Sequence, residues 1–324
     1  MKNLAKLLAC TALISIANMA SAETTVRMLK TWDERYPGSV VICDRYAQLL
    51  TEASGGVIVV QMSGPETIPP LEQLEPTQNG LFQVLCTYPG FHTGAATLLT
   101  GLESIRPDPE RFRSSGAMEI VRETYGKLGL YAISVPLAHG YWMFLKHGLS
   151  EAGDLGGMQI RALPPQHPYI TAIGGTPVVL PPPEMFSALE RGVVDGAIFP
   201  AAGATGYGFP EVTNRYFDAG VTSPHVILAN QAFWDGLSED IRQTFLEQAK
   251  ILEDETPRIY DKLIAEEQEK VAGAGMEQLA LDDEAASKLS KAIVEGSWSF
   301  AASRDAAAAE QLRAAIEQAD LLTK

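Results

Sequence analysis

The sequence contains little cysteine, little histidine and a deficit of positive charge. Three cysteines and five histidines occur in 324 residues, and none of them forms the close pairs that thiolate or imidazole metal sites use. Lysine and arginine number 25 against 40 aspartates and glutamates, a formal net charge of −15 at pH 7. This excess of negative charge disfavours binding to nucleic acid and to anionic membrane surfaces. We therefore expect no nucleic-acid partner.

The sequence also lacks the short motifs of common catalytic and cofactor sites. It has no GxSxG turn, no Walker loop, no HExxH pair and no EF-hand loop. The histidines stand singly along the chain, at His92, His139, His147, His167 and His225. We interpret each of them as a capped or surface residue. Residues 203–208, GATGYG, have their glycines in the wrong order for a dinucleotide fingerprint and are interpreted as a flexible loop. These absences favour binding without a cofactor over catalysis.

Long apolar runs are absent after the N-terminus. Residues 1–22 have Lys2 and Lys6 ahead of an apolar run over residues 7–17, and they end in Ala-Ser-Ala. This order is typical of a secretory signal peptide, and the run is shorter than the roughly 20 residues that span a bilayer. We predict that residues 1–22 are a cleaved signal peptide.

Cleavage would leave two cysteines, Cys43 and Cys86. In an oxidising compartment they can form one disulfide. Nothing in their spacing requires the bridge, so a disulfide and two buried thiols both stay open.

Apolar β-rich runs alternate with helical patterns, which is typical of an α/β protein with mostly parallel strands. The N-terminal part predicts strands at 26–29, 57–62 and 81–86 and helices at 40–52 and 71–77. A helix at 184–191 followed by a strand at 193–199, with Gly192 as a left-handed C-cap, repeats this plan. Two lobes of similar construction are the natural inference.

The C-terminal third is helical. Ser238 is a favourable N-cap before Ile241, and the helical spacing continues for more than thirty residues. Pro257 lies inside this pattern, so we predict a kink or a local break there. Residues 283–323 are again helical and rich in alanine.

Residues 154–200 carry a resemblance to a known family. They read DLGGMQIRALPPQHPYITAIGGTPVVLPPPEMFSALERGVVDGAIFP. The counterparts are a D-L-K-G-hydrophobic-K-I-R segment, then P-V-x-hydrophobic-P, then E-hydrophobic-Y-x-A-L-x-x-G-V-V-D-G. The chain thus resembles the solute-binding proteins of tripartite ATP-independent periplasmic (TRAP) transporters.

The resemblance implies an α/β two-lobe clamshell with a hinge and a long C-terminal helix. Lobe I would comprise residues 23–145 and about 225–265, and lobe II residues 146–224 and about 266–324. The implied protein is a periplasmic receptor, not an enzyme, that binds a small-molecule carboxylate without a cofactor and delivers it to TRAP membrane permease subunits. We expect a monomer. A sensory protein that docks on a receptor kinase and an enzyme on the same fold are the alternatives.

Arg161 ends the predicted strand of the first motif, where open α/β sheets place their ligands. The resemblance implies that this arginine binds the solute carboxylate, to which a guanidinium offers two parallel N–H bonds. Many family members have a second basic residue near the position of Tyr141 and Trp142, and an asparagine at the position of Phe199.

These departures predict an apolar or aromatic pocket for a monocarboxylate. Trp32 and Tyr88 follow strands of the other lobe and are predicted at matching rim positions. The predicted ligand-binding residues are Arg161, Phe199, Tyr141, Trp142, Trp32 and Tyr88. Family members with a metal-bridged ligand usually carry an acidic residue in the segment 197–202, which has none here, so we expect no metal.

Overall fold

The computed structural model describes residues 23–323, so the predicted signal peptide, residues 1–22, lies outside the described residues. In this part of the chain two β-sheets, each packed against helices, are joined by two strand crossovers and by long helices. The predicted α/β two-lobe architecture is confirmed. No helix within residues 23–323 combines the length and the apolar character needed to cross a bilayer.

The described chain alternates short strands with helices along most of its length. The strands are β1 Thr24–Lys30, β2 Ile58–Ser63, β3 Val84–Thr87, β4 Leu130–Ser134, β5 Leu137–Ala138, β6 Tyr141–Leu145, β7 Gln159–Arg161, β8 Thr176–Val178, β9 Gly196–Pro200, β10 Arg215–Asp218, β11 Ser223–Pro224, β12 Val226–Asn230 and β13 Glu277–Gln278. The helices are α1 Arg45–Ala53, α2 Leu74–Gln78, α3 Pro109–Ser114, α4 Ala117–Gly126, α5 His167–Ala172, α6 Met185–Glu190, α7 Phe209–Val212, α8 Gln231–Gly236, α9 Glu239–Gly273, α10 Asp283–Ala302 and α11 Ala306–Gln318.

The first lobe is built on a five-stranded sheet of order β2-β1-β3-β12-β4. Strand β1 pairs in parallel with β2 and β3, whereas β12 is antiparallel to β3 and β4. Both faces of β1 are covered, since Val26 and Met28 belong to one core cluster and Leu29 to another. Burial on both faces explains why this strand is a short apolar run in the sequence.

The second lobe is built on a six-stranded sheet of order β13-β10-β6-β9-β7-β8. Strand β7 is parallel to β8 and β9, and β6 is antiparallel to β9 and β10. The carboxyl ends of β7 and β9 therefore lie at the same edge, where β6 begins. That edge positions Arg161 at the end of β7 and Tyr141 at the start of β6.

Two crossovers connect the sheets side by side. The chain passes from β4 through β5 to β6, and it returns from β10 through β11 to β12. Strands β5 and β11 pair antiparallel, Leu137 with Pro224 and Ala138 with Ser223. This short ribbon is a narrow connection between the lobes, which is the location expected for a hinge.

Helix α9 has 35 residues, a length of about 50 Å, and extends along both lobes. It begins at the predicted N-cap, where the Ser238 hydroxyl accepts a hydrogen bond from the amide of Ile241. The helix is continuous through Pro257, so the predicted break is absent. Leu252 and Tyr260 are fully buried on either side of the proline, and their packing offsets the one lost backbone hydrogen bond.

Helix α10 also spans the lobes. Its Leu289 and Ile293 pack in the core of the second lobe, whereas Trp298 and Ala301 pack in the first. The exact division of the chain into lobe I and lobe II ranges therefore stays a prediction.

Cys43 and Cys86 form a disulfide, which decides between the two states that the sequence left open. Cys43 lies in a π-helical turn, Ser39–Asp44, that leads directly into α1, and Cys86 lies in β3. The bridge ties the first helix of the chain to the middle of the first sheet.

Candidate ligand-binding site

Arg161 is held at the end of β7 by a turn that the sequence encodes. The Asp154 carboxylate accepts hydrogen bonds from the Ser150 hydroxyl and from the amide of Gly156, 2.9 Å. Gly157 then adopts φ +80°, a conformation that glycine takes without strain. The turn leads into β7, whose pairing with Ala197 of β9 fixes the register of Arg161.

The guanidinium of Arg161 is buried, with 2% of the residue exposed. Its Nε donates to the Leu180 carbonyl at 2.8 Å, and its Nη1 donates to the Ile198 carbonyl at 3.4 Å. Its Nη2 is buried and has no hydrogen-bond partner among the described residues. Two N–H bonds thus orient the side chain and leave one nitrogen free to bind another group.

Within residues 23–323 Arg161 makes no ion pair. Burial lowers its pKa to about 10, so the side chain is still a cation at neutral pH. A buried cation without a counter-ion is costly unless an anion arrives to pair with it. The arrangement is therefore suited to binding a carboxylate.

Aromatic rings line the first-lobe side of this region. The Trp32 ring lies 5.8 Å from Phe91, centroid to centroid, and Phe91 lies 6.0 Å from Tyr88. Trp32 also lies 4.8 Å from the ring of His225. The structure therefore connects the predicted residues Trp32 and Tyr88 through Phe91.

The aromatic contacts continue into the second lobe. Tyr36, which follows β1, makes an edge contact with Phe199 of β9 at 6.2 Å, and Phe199 lies 4.9 Å from Tyr207. Charge interactions place Tyr207 and Tyr88 within electrostatic reach of Arg161. Trp32, Tyr88, Phe199 and Arg161 therefore lie around one region between the lobes.

Tyr141 and Trp142 are consecutive in β6 and point to opposite faces of the sheet. The Tyr141 hydroxyl donates to the Ser223 hydroxyl, 3.3 Å away in the second crossover. Trp142 pairs in register with Phe199 and stacks on Tyr216 at 4.4 Å. Tyr141 lies within electrostatic reach of Arg161, whereas the contacts of Trp142 are with the core under α9. Their roles in binding stay predictions.

Glu103 is a buried carboxyl group beside Tyr88 that the sequence reasoning missed. It is fully buried and accepts a short hydrogen bond from the Tyr88 hydroxyl. Burial raises the pKa of Glu103 to about 8. The available signal was a single acidic residue within the apolar segment 97–105, TLLTGLESI.

The interpretation of the histidines as capped or surface residues is wrong for His225. It is fully buried at the second crossover, and its Nε2 lies 3.1 Å from the Tyr36 hydroxyl, which in turn lies 2.6 Å from the Tyr260 hydroxyl. Burial lowers the pKa of His225 to about 4, so the ring is neutral. His225, Tyr36 and Tyr260 join the crossover, the first lobe and α9.

The loop at residues 203–208 is packed against the first lobe, which corrects its interpretation as flexible. A Cβ atom added at Gly206 would lie 2.7 Å from the Arg35 carbonyl oxygen, and one added at Gly203 would lie 2.7 Å from Cδ of Pro37. The guanidinium of Arg35 also lies over the Tyr207 ring at 4.7 Å. Glycine permits this close contact between the lobes, since any side chain would separate them.

Within residues 23–323 no group of three or more histidine, cysteine, aspartate or glutamate side chains is arranged to hold a metal ion. The expectation of a site without metal and without cofactor stays a prediction.

Residues 107–302 match the family described as bacterial extracellular solute-binding protein, family 7. The ectoine-binding periplasmic protein TeaA of Halomonas elongata is 27% identical over 221 residues, which is 63% of this chain and 63% of TeaA. The chain thus matches somewhat less than two thirds of the length of this curated relative.

Solved structures share the fold at lower identity. DctP7, a Bordetella pertussis extracytoplasmic solute receptor binding pyroglutamic acid, superposes with a TM-score of 0.80 at 17% identity, over 91% of this chain and 99% of DctP7. A TRAP periplasmic solute-binding protein from Desulfovibrio salexigens with bound orotic acid gives a TM-score of 0.81 at 16% identity, over 91% and 98% of the two chains.

Proposed function

Because the chain belongs to the bacterial extracellular solute-binding protein family 7, as a TRAP-type solute-binding protein and not an enzyme, we propose that it captures an organic monocarboxylate between its lobes. Arg161 binds the carboxylate, and Tyr88, Trp32, Phe199 and Tyr141 surround the rest of the molecule. The observation that carries this proposal is the buried Arg161 guanidinium, which has no ion pair among the described residues and a free Nη2.

The family is extracytoplasmic, which indicates the periplasm. We propose that residues 1–22 direct export and that the loaded, monomeric protein delivers its solute to TRAP membrane permease subunits. The ligands named for the relatives support a small organic acid as the solute, because they include pyroglutamic acid and orotic acid.

In the proposed site between the lobes, Arg161 is the cation that binds one carboxylate. A second carboxylate would be buried without a counter-ion, which is costly. Aromatic rings at the positions of Phe199 and Trp32 favour an apolar or aromatic body. The proposed ligand is therefore a monocarboxylate, and we expect dicarboxylates and sugar acids not to bind.

The proposal is tested by measuring thermal stability with a series of acids. A ligand that binds only the folded protein raises its melting temperature. We expect aromatic or branched monocarboxylates to do so and succinate, malate and glucuronate to have no effect. Arg161→Ala should fold and lose the response, since truncating one partner of a buried charge pair costs about 2 to 5 kcal/mol, roughly 30-fold to several-thousand-fold in affinity.

Arg161→Lys should also bind weakly, because an ammonium cannot reproduce the two-point contact. Arg122→Ala is the matched control, since Arg122 lies over Tyr131 in the first lobe, away from the site, and its binding should equal that of the wild type. Tight binding by Arg161→Ala would show that the site is placed wrongly. Preference for a dicarboxylate or a sugar acid would contradict the assigned pocket.

A further inference from the structure

Glu103 is a buried carboxyl group that the proposed carboxylate contact does not use. It lies in the turn segment Thr97–Ser104, after β3, and none of it is exposed. The Tyr88 hydroxyl donates to its Oε1, and the Tyr169 hydroxyl donates to its Oε2 at 3.5 Å. Tyr88 belongs to the first lobe and Tyr169 to α5 of the second, so Glu103 lies where the lobes meet.

Glu103 and Arg161 flank the same tyrosine. The pKa of Tyr141 is raised first by burial, and it is also raised by Glu103 and lowered by Arg161. Tyr88 likewise interacts with both groups. A buried carboxyl group and a buried cation therefore border one region, and neither makes an ion pair within residues 23–323.

Each of these groups needs a partner of its own. Arg161 has a free Nη2, and Oε2 of Glu103 has only the long contact with Tyr169. A carboxylate oxygen has room for more than one donor, and buried polar groups are normally satisfied. If a carboxylate occupies Arg161, Oε2 of Glu103 still has an acceptor position that its long contact with Tyr169 fills only weakly.

We propose that Glu103 accepts a hydrogen bond from an N–H group of the ligand, so that the solute is an amino-type or N-heterocyclic monocarboxylate. This inference rests on the proposed function and narrows it. A ligand of the same shape with a C–H at that position would give Glu103 no donor beyond Tyr88 and Tyr169. A cationic N–H group bound there would favour the ionised form of Glu103, and a hydrogen bond between two charged groups is among the stronger ones.

Matched ligands that differ in one atom test the inference. Cyclohexanecarboxylate is compared with piperidine-2-, piperidine-3- and piperidine-4-carboxylate, which have the same ring with an N–H in three positions. Isothermal titration calorimetry gives each Kd with the wild type, Glu103→Gln, Glu103→Met and Arg161→Ala. Glu255→Gln is the control, because Glu255 pairs with Arg45 between α9 and α1 of the first lobe, away from Arg161.

The wild type should bind the best piperidine acid at least tenfold more tightly than cyclohexanecarboxylate. Glu103→Gln should reduce that preference about tenfold, and Glu103→Met should abolish it, while the affinity for cyclohexanecarboxylate changes less than threefold. Glu255→Gln should keep the wild-type preference. Arg161→Ala should lose all four ligands.

Equal affinity of the wild type for cyclohexanecarboxylate and for every piperidine acid would overturn the inference, even if no Glu103 variant folds. Equal losses for both ligand types in Glu103→Gln would assign Glu103 to holding Tyr88 and Tyr169. Binding of none of the four acids by the wild type, or full binding by Arg161→Ala, would refute the proposed function together with the inference.

Discussion

Glu103 and His225 are buried titratable side chains whose pKa values are moved in opposite directions by the same cause. Burial disfavours the charged form of each group, so it raises the pKa of Glu103 from 4.5 to about 8 and lowers that of His225 from 6.5 to about 4. Both groups are therefore neutral in the folded, ligand-free protein at pH 7. Their contributions to the change of the free energy of unfolding with pH therefore have opposite signs.

The sign follows from the protons bound by each state. Between pH 4.5 and 8 the unfolded chain loses the Glu103 proton while the folded chain keeps it, so Glu103 makes the free energy of unfolding fall as the pH rises. Between pH 4 and 6.5 the unfolded chain binds a proton at His225 that the folded chain does not. His225 therefore makes the free energy of unfolding fall as the pH is lowered through that range.

We predict that Glu103→Gln removes the fall in the free energy of unfolding that Glu103 causes as the pH rises. The stability of the variant relative to the wild type should increase from pH 5 to pH 8, by at most about 1.4 kcal/mol per pH unit. Urea unfolding of the ligand-free proteins at pH 5, 6.5 and 8 measures this difference. Parallel curves for the two proteins would show that Glu103 is not a buried neutral acid.

The sequence alone points to some of the buried polar residues and not to others. Arg161 was selected from the sequence because it ends an apolar strand inside a dense motif, and it is buried at the end of β7. Its role in binding stays a prediction. Glu103 and His225 were missed because their burial depends on Tyr88 and Tyr36, which approach them only after folding. Sequence patterns report periodicity along the chain and not contacts between distant segments.

The loop at residues 203–208 and the segment Arg35–Pro37 form the closest contact between the lobes. Gly206 does not have a positive φ, so alanine is compatible with its backbone and the obstacle is the 2.7 Å approach to the Arg35 carbonyl oxygen. An alanine Cβ at position 206 would clash with a backbone atom, which cannot rotate away as a side chain can. This clash arises only when the two lobes are in contact.

We predict that Gly206→Ala weakens ligand binding without unfolding either lobe. Overpacking of this kind costs about 1 to 3 kcal/mol, roughly 5- to 150-fold in affinity, if closure accompanies binding. Calorimetry with the best acid from the thermal series gives the Kd. Gly236→Ala is the control, because a Cβ there meets no atom within 4 Å. Unchanged affinity in Gly206→Ala would show that the loop does not have to approach Arg35 for binding.

Secondary-structure elements were predicted best where an apolar run or a cap marks them. Strands β1 and β2 lie within two residues of their predicted bounds, and Gly192 has φ +69° at the end of α6 as predicted. The helix predicted over residues 40–52 begins instead as the π-helical turn Ser39–Asp44. That turn contains Cys43, and its disulfide with Cys86 is a long-range constraint that local propensity does not report.

Several independent contacts connect the two lobes of the whole molecule. Glycines of the loop 203–208 touch the first lobe, Tyr36 meets Phe199, and Glu103 links Tyr88 to Tyr169. Two tyrosines of these regions, Tyr88 and Tyr207, lie within electrostatic reach of the buried Arg161 guanidinium. The structure is therefore a closed arrangement of the lobes, in which the cost of burying Arg161 is compensated only when an anion is present.

We predict that the ligand-free protein opens about the crossover strands β5 and β11 and that a bound acid closes it. A ligand shifts such an equilibrium only through its different affinity for the two forms, and contacts from both lobes provide that difference. Small-angle X-ray scattering should show a smaller radius of gyration at ligand saturation than without ligand. Arg161→Ala should show no decrease at the same ligand concentration, because it has lost the carboxylate contact and no longer binds the acid. An identical profile for the wild type with and without saturating ligand would contradict the hinge, and it would leave the pairing of β5 with β11 as a rigid connection between the lobes.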